Sequence, residues 1–442
     1  MSRTPNLLFV TLLASACGGG GTQVTGVEAE VSEAIGTIVT VRWTTDTDTV
    51  GRVEFGEGED LNLSTPLETE PTTDHEVVLL GLTAGVQASY RVVVVDGDEE
   101  VAGETLTVET GALPNTLPSF TTSGEDAGAY LAVPILGSIA APVILSPQGE
   151  YLWYWQDDRD LDVYRVRLSV DGQSVLYNAA SVSGDPSDES VIVRVALDGS
   201  EETTISVPLL AHDFVEHADG TIGAMVVEYR DVDGESVRGD QLVEIDPSGE
   251  QQVIWSAWDC FDPATTEGEE TGWTFANALD YDPDEEAYYL GMRNFSSIVK
   301  IDRASGECVW GLGGEAATLS TASGSSTFIH QHQFDLADDG QTIVVFDNDG
   351  ATGTVSRVLE YALDPEAGEA EETWSYQADP TIYSFVLGDV HRFDDGDTLV
   401  TWSTSGQLDR VDPDGELVWQ LNSDLGYVFA FNTILDDLYL GE

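Results

Sequence analysis

Residues 299–314 read VKIDRASGECVWGLGG: one strand, a turn on Asp302 and Gly306, then a second strand carrying Trp310. The same phrase returns as VRVALDGSEETTISV at 193–207, VEIDPSGEQQVIWSAW at 243–258, LEYALDPEAGEAEETWSY at 359–376 and DRVDPDGELVWQL at 409–421. Alternation of apolar and polar residues marks each arm as a half-buried strand, and the Asp and Gly residues supply the turn. Partner hairpins lie between the copies: HADGTIGAMVVEY (217–229), YDPDEEAYYLGMR (281–293), LADDGQTIVVFDN (336–348) and FDDGDTLVTWS (393–403). The repeat length, roughly 50 to 65 residues, suits a four-stranded propeller blade. A weaker first copy spans about 129–175, and YVFAFNTILDDLYLG (427–441) supplies a closing segment. The repeat predicts an all-β chain whose residues 129–442 form a six-bladed β-propeller.

Upstream, TIVTVRWTT, GRVEFGE, DHEVVLLGL and ASYRVVVVDGDEEVAGETLTVET are short alternating strands divided by Gly, Asp and Thr turns. About seven strands in about 90 residues predict an immunoglobulin-like sandwich over residues 24–112. The segment resembles a fibronectin type III domain, with Trp43 and Tyr90 as core aromatics and His75 as a strand-edge residue. The Pro/Ser/Gly-rich stretch 113–128 has the composition of a linker.

The chain carries 81 acidic and 16 basic residues, a net charge of −65, and a single lysine, Lys300. Such a surface repels nucleic acid and anionic membranes, so neither is an expected partner. Residues 1–23 have the order of a lipoprotein signal: Arg3, the apolar run LLFVTLLASA, the small residues Ala14, Ser15 and Ala16, then Cys17 and a glycine tether. Lipidation at Cys17 would place the exported protein on a bacterial membrane, held by its lipid alone. Cys260 and Cys308 then remain as a pair that could close a disulfide in an oxidising compartment, or stay as buried thiols.

In a propeller the inner strands line one channel, so equivalent positions in successive blades converge. Just before the hairpins stand His212 and Asp213 (blade three), Trp273 and Asn277 (blade four), His330 and His332 (blade five), and His391 and Arg392 (blade six). His217 falls in a hairpin turn and is peripheral. Three readings are open: polar residues that cap strands, a metal site, or an anion site with a histidine nucleophile. The spacing matches no closed zinc motif. His, Asn and Arg are donors suited to oxyanions, and neutral imidazole is a nucleophile. No cofactor is expected.

The runs HDFVEHADGTIGAMVVEYR, MRNFSSIVKIDRASGECVWGLGG, HQHQFDLADDGQTIVVFDNDG…SRVLEYALD and VHRFDDGDTLVTWS, in that order, resemble the arylsulfotransferase (ASST) family of six-bladed propellers. The resemblance covers roughly residues 129–442. It implies an exported enzyme that moves a sulfuryl group from an aryl sulfate to a phenol through a sulfohistidine, without a nucleotide donor. It implies His332 as nucleophile, His212 and Arg293 as ligands of the transferring group, and Asn277 in the family's H-x-N pattern. His330, His391 and Trp273 are further substrate-binding candidates; an aryl acceptor could stack on Trp273. The chain departs from the family at Phe275, where the H-x-N histidine would stand. A general acid is worth about 10²–10⁴ in rate. Two alternatives therefore stay open: a binding propeller that has lost turnover, and an aryl sulfate hydrolase.

Overall fold

In the computed structural model, which describes residues 22–181, 187–263, 272–337, 340–350, 352–424 and 426–439, the repeats form six sheets, three of four antiparallel strands and three that carry a fifth strand. Cys17 lies outside the described residues. Blade two comprises Asp162–Leu168, Ser174–Ala180, Val191–Ala196 and Glu202–Ser206. Blade three runs from Leu210–Glu216 to Gln251–Ser256, and blade four from Ala276–Asp282 to Cys308–Leu312. Blade five runs from Phe334–Ala337 to Glu369–Tyr376, and blade six from Asp389–Arg392 to Leu417–Ser423. The strand–turn–strand phrases of the sequence are the two outer strands of blades two to six.

The first copy divides differently from its expected span of about 129–175. Blade one takes only Tyr130–Leu136, Ala141–Leu145 and Tyr151–Tyr154 from it; Asp162–Leu168 already opens blade two. The C-terminal strands Val428–Phe429 and Thr433–Leu435 complete blade one on its inner side. At the seam, Phe120–Gly124, inside the stretch read as a linker, pairs with Leu417–Ser423 as an extra outer strand of blade six. Gly124 is required there: at φ 94° a Cβ would lie 2.1 Å from the Val418 carbonyl oxygen. Both ends of the propeller chain are thus fastened to neighbouring blades.

The blades are held by aromatic packing. Trp153, Trp402, Trp419, Tyr177, Tyr288, Tyr289 and Tyr361 are fully buried. Each such side chain contributes about 2 kcal/mol through removal of apolar area from water.

Ahead of the propeller, Val24–Val31, Val39–Thr49 and Thr72–Leu79 form one antiparallel sheet. Gly51–Glu57, Gln87–Asp96 and three short strands form another. The two enclose Val41, Trp43, Phe55, Tyr90 and Val92. His75 is on the edge strand, yet its ring is buried: it stacks on Trp43 at 4.6 Å and engages Glu68 at 2.7 Å. This unit is joined to the propeller by buried contacts. Thr37 donates to the Leu152 carbonyl, Tyr154 accepts from the Gly36 amide, and Tyr439 accepts from the Leu80 amide.

Cys260 and Cys308 face each other across blades three and four as thiols, Sγ to Sγ 2.8 Å, with the Trp255 indole N–H directed at both. The bond itself needs a separation near 2.05 Å, so closure calls for a shift under 1 Å. Oxidation is expected to bridge them and, for a span of 48 residues, to stabilise the fold by about 4 kcal/mol. Thermal melts with and without reductant check this. Equal melting temperatures, with the bridge verified by mass spectrometry, would contradict the expectation.

Candidate active site

Four inner strands begin in the same unusual way. Leu209, Phe275, His330 and Leu387 precede the inner strands of blades three to six, with φ of 60°, 50°, 55° and 57°. Bulky residues rarely adopt this left-handed conformation, and it costs on the order of 1 kcal/mol or more at each position. The kink turns the chain abruptly into the channel. It sets His212 and His332 at the channel mouth, ring centroids 6.4 Å apart and nearly perpendicular. Phe275, Phe431 and Tyr164 pack around them: His212 touches all three, and His332 lies 6.3 Å from Phe431. Both imidazoles are buried, 3% and 2% exposed.

His332 is held in one tautomer. Its Nδ1 lies 2.8 Å from Asn348 Oδ1. The Asn348 amide nitrogen donates to the carbonyls of Ser384 and Leu387, each at 2.7 Å, which fixes Oδ1 toward the ring. Nδ1 therefore carries the hydrogen, and Nε2 carries the lone pair. Burial pushes the His332 pKa down to about 3; the Arg293 charge adds to this, and the Asn348 bond opposes it. Burial also lowers His212 well below the usual range, assisted by the charges of His332, Arg238 and Arg293. Both rings are neutral at ordinary pH.

Arg293 is half-buried in the turn between Ala287–Met292 and Ser297–Asp302, the second and third strands of blade four. Its amide donates to the Phe275 carbonyl at 3.0 Å, and its guanidinium to Asn294 Oδ1 at 2.9 Å. Asn277 is fully buried; its amide nitrogen donates to the Gln331 carbonyl at 2.7 Å, one residue before His332. Gln331 in turn donates to the Met292 and Ser297 carbonyls. Blade four thus braces the backbone that carries His332 through the Asn277 amide nitrogen. His330 pairs with Asp349 at 2.5 Å beside Tyr383, which donates to the same carboxylate.

Two expectations need correction. His391 was aligned with His212 and His332, but counting back from Gly220, Gly340 and Gly396 puts it three residues further along its strand. It lines a separate cavity of 540 Å³ with Arg167, Asp280, Asp335 and Arg392, whose lining includes neither His212 nor His332. There it bonds the Asn432 carbonyl, and Asp389 and Asp335 outweigh the effect of burial to raise its pKa to about 10. Trp273 is no platform for an aryl ring. It is packed between Trp258 at 4.6 Å and Phe295 at 5.8 Å, in the core between blades three and four.

Between mouth and cavity the channel is filled. Arg165, fully buried, makes a bidentate pair with Asp213 at 2.9 and 2.8 Å and bonds the Asn432 carbonyl; Asp389 is 3.6 Å away. Gln333 donates to Asp213 at 3.0 Å. Opposite charges with every bond in place make this a rigid plug. Among the described residues, no group of three or more His, Cys, Asp or Glu is placed to hold a metal ion.

Asn348, Arg238 and Phe431 were missed from sequence. Asn348 ends the phrase VVFDN, and only the pairing of blade strands shows that it meets His332. Chemically, the mouth presents a lone-pair imidazole nitrogen, a second neutral imidazole and a guanidinium, shielded from water. These are the components for attack on an anionic ester.

No curated protein matches the chain. Among solved structures, it is similar to a Bacteroides caccae protein of unknown function (13% identity, 70% of this chain, 100% of that one, TM-score 0.45). It is also similar to a periplasmic gluconolactonase of Pseudomonas aeruginosa (16%, 88%, 100%, TM-score 0.42). A third is a catalytically inactive virginiamycin B lyase from Staphylococcus aureus (11%, 72%, 100%, TM-score 0.41). The family model for arylsulfotransferases (ASST) matches residues 138–424, from blade one to the last strand of blade six. On that match, the chain belongs to the arylsulfotransferase family.

Proposed function

We propose that this protein transfers a sulfuryl group from an aryl sulfate to a phenol, through His332 and without a nucleotide donor. The observation that carries the reading is the Asn348–His332 bond, which leaves Nε2 as a lone-pair nucleophile beside His212 and Arg293. In the first half-reaction the Nε2 pair forms a bond to sulfur, the sulfur–aryloxide bond breaks, and its electrons leave on the phenolate. In the second, the acceptor phenol oxygen attacks sulfur and the N–S bond breaks. The acceptor's proton passes to a neutral base, a part that the reading gives to His212, and neutral His332 returns. Arg293 and His212 stabilise the charge on the three sulfuryl oxygens in transit.

The decisive assay is release of p-nitrophenol from its sulfate, with and without added phenol. Release that depends on phenol supports transfer. Release in both arms supports hydrolysis. Release in neither supports a binding propeller, the reading that Phe275 in place of the family histidine favours. The reading extends to location: Cys17 is lipidated and anchors the exported enzyme, so Cys17→Ser is expected to move it from the membrane to the soluble fraction.

A pH consequence follows from the depressed pKa of His332. The active, neutral form prevails above about pH 3. In a ping-pong reaction kcat/KM for the donor reports only the first half. It is therefore expected to stay level on the acid side down to about pH 4, with no limb at the usual imidazole pKa. An acid limb near pH 6.5 would contradict this environment for His332.

A further inference from the structure

Phe275 fills the position at which the family pattern would place a histidine, but the place beside it is not apolar. Arg238, from the strand Glu235–Ile245 of blade three, lies over the Phe275 ring with its guanidinium carbon 4.5 Å from the centroid. The same ring meets His212 edge-on at 5.3 Å. Arg238 is 6% exposed, so its charge acts in a poorly hydrated setting. Its position is constrained from two sides. Its carbonyl accepts from the Trp273 amide at 2.8 Å, and Gly272 presses on its stem so closely that a Cβ there would lie 2.9 Å from Arg238 Cδ. Asp240 fixes Phe275 from both neighbours, accepting from the Thr274 hydroxyl and from the Ala276 amide at 2.8 Å.

Both guanidinium charges act on His212, and Arg238 reaches it through the Phe275 ring that it covers. The charge of Arg238 weighs on His212 more heavily than that of Arg293 does, whereas Arg293 weighs on His332. Attack on sulfur runs in line, so the departing oxygen is on the side away from the nucleophile. Arg293 accompanies His332, and Arg238 accompanies the opposite ring.

Resting on the sulfuryl-transfer reading above, we infer that Arg238 is a catalytic residue that stabilises the departing phenolate by charge, in place of a proton donor. The balance is simple. The Nε2 electron pair makes the N–S bond, the S–O pair departs on the aryl oxygen, and no proton is delivered. The phenolate leaves as an anion paired with Arg238 and takes its proton from water afterwards.

Charge and proton donation both count for more as the leaving group becomes more basic, so loss of either steepens the dependence on the phenol. The more basic the phenol, the more negative charge its oxygen carries as it departs, and the more a cation is worth. The test compares wild type with Arg238→Gln and Arg238→Lys on p-nitrophenyl, 4-methylumbelliferyl and phenyl sulfates. Arg238→Gln is expected to lose about tenfold in kcat/KM on the nitrophenyl ester and about 100-fold or more on the phenyl ester. Arg238→Lys, which keeps the charge, should recover part of that slope. Phe275→His added to Arg238→Gln should flatten the dependence again by restoring an acid. Equal losses on all three esters, or none, would overturn the inference and leave Arg238 as packing for Phe275. A wild type that forms no sulfated His332 from any of these donors would instead sink the underlying reading, and this inference with it.

Discussion

Exchange of His332 for alanine is expected to lower kcat about 10⁴-fold or more, leaving only what binding and the remaining donors supply. The loss follows from position. Of the two imidazoles that meet at the mouth, His332 has its Nε2 lone pair fixed by a bond on the other side of the ring, 2.8 Å from Nδ1 to Asn348. His212, though near, shows no such bond at its buried Nδ1 among the described residues. The measurement is turnover of p-nitrophenyl sulfate with phenol, together with mass spectrometry of the peptide spanning residue 332 after donor alone. Wild type should carry one sulfuryl group on that peptide and the variant none. His332→Gln, which fills more of the buried space, guards against a fold lost to the cavity. Full activity in either variant would remove His332 from the mechanism.

The second large effect belongs to Asn348. Replacement by alanine takes away the acceptor that sets the His332 tautomer and leaves the Ser384 and Leu387 carbonyls without their donor. A fall in kcat of about 10²–10⁴ is expected from the wrong tautomer. A stability loss of about 1–3 kcal/mol is expected from the stranded carbonyls. Asn348→Asp separates positioning from mere structure. A carboxylate accepts from Nδ1–H, but as an adjacent negative charge it favours the imidazolium and raises the pKa from about 3. Its kcat/KM should acquire an acid limb, rising with pH as the ring becomes neutral, where wild type is level. If Asn348→Asp loses stability yet keeps a level profile, Asn348 does not govern His332.

The blades were legible because their signals are local. Alternation of period two and an Asp…Gly turn need only a dozen residues, as in VEIDPSGEQQVIWSAW. His212, His332 and Arg293 were reachable through the order of motifs. What sequence could not supply was register between blades. His391 was placed three residues out of phase because residue type was matched rather than distance to the hairpin glycine, five residues to Gly396 against eight from His212 to Gly220 and from His332 to Gly340. Trp273 was read as a ring on which an aryl acceptor could stack because nothing local distinguishes such a ring from one that packs against the next blade. Asn348 and Arg238 are distant in sequence from the imidazoles they serve, so their parts emerge only when the sheets are assembled.

The Arg165–Asp213 pair in the middle of the channel has a kinetic consequence. It turns the axis into two blind alleys, so whatever reaches His332 must come and go through a single doorway. If phenols are the guests, as proposed, a spent one has to depart before the next can be admitted. On the proposed sulfuryl transfer, that rule of one guest at a time would suit a covalently parked sulfuryl group, carried from the first visitor to the second.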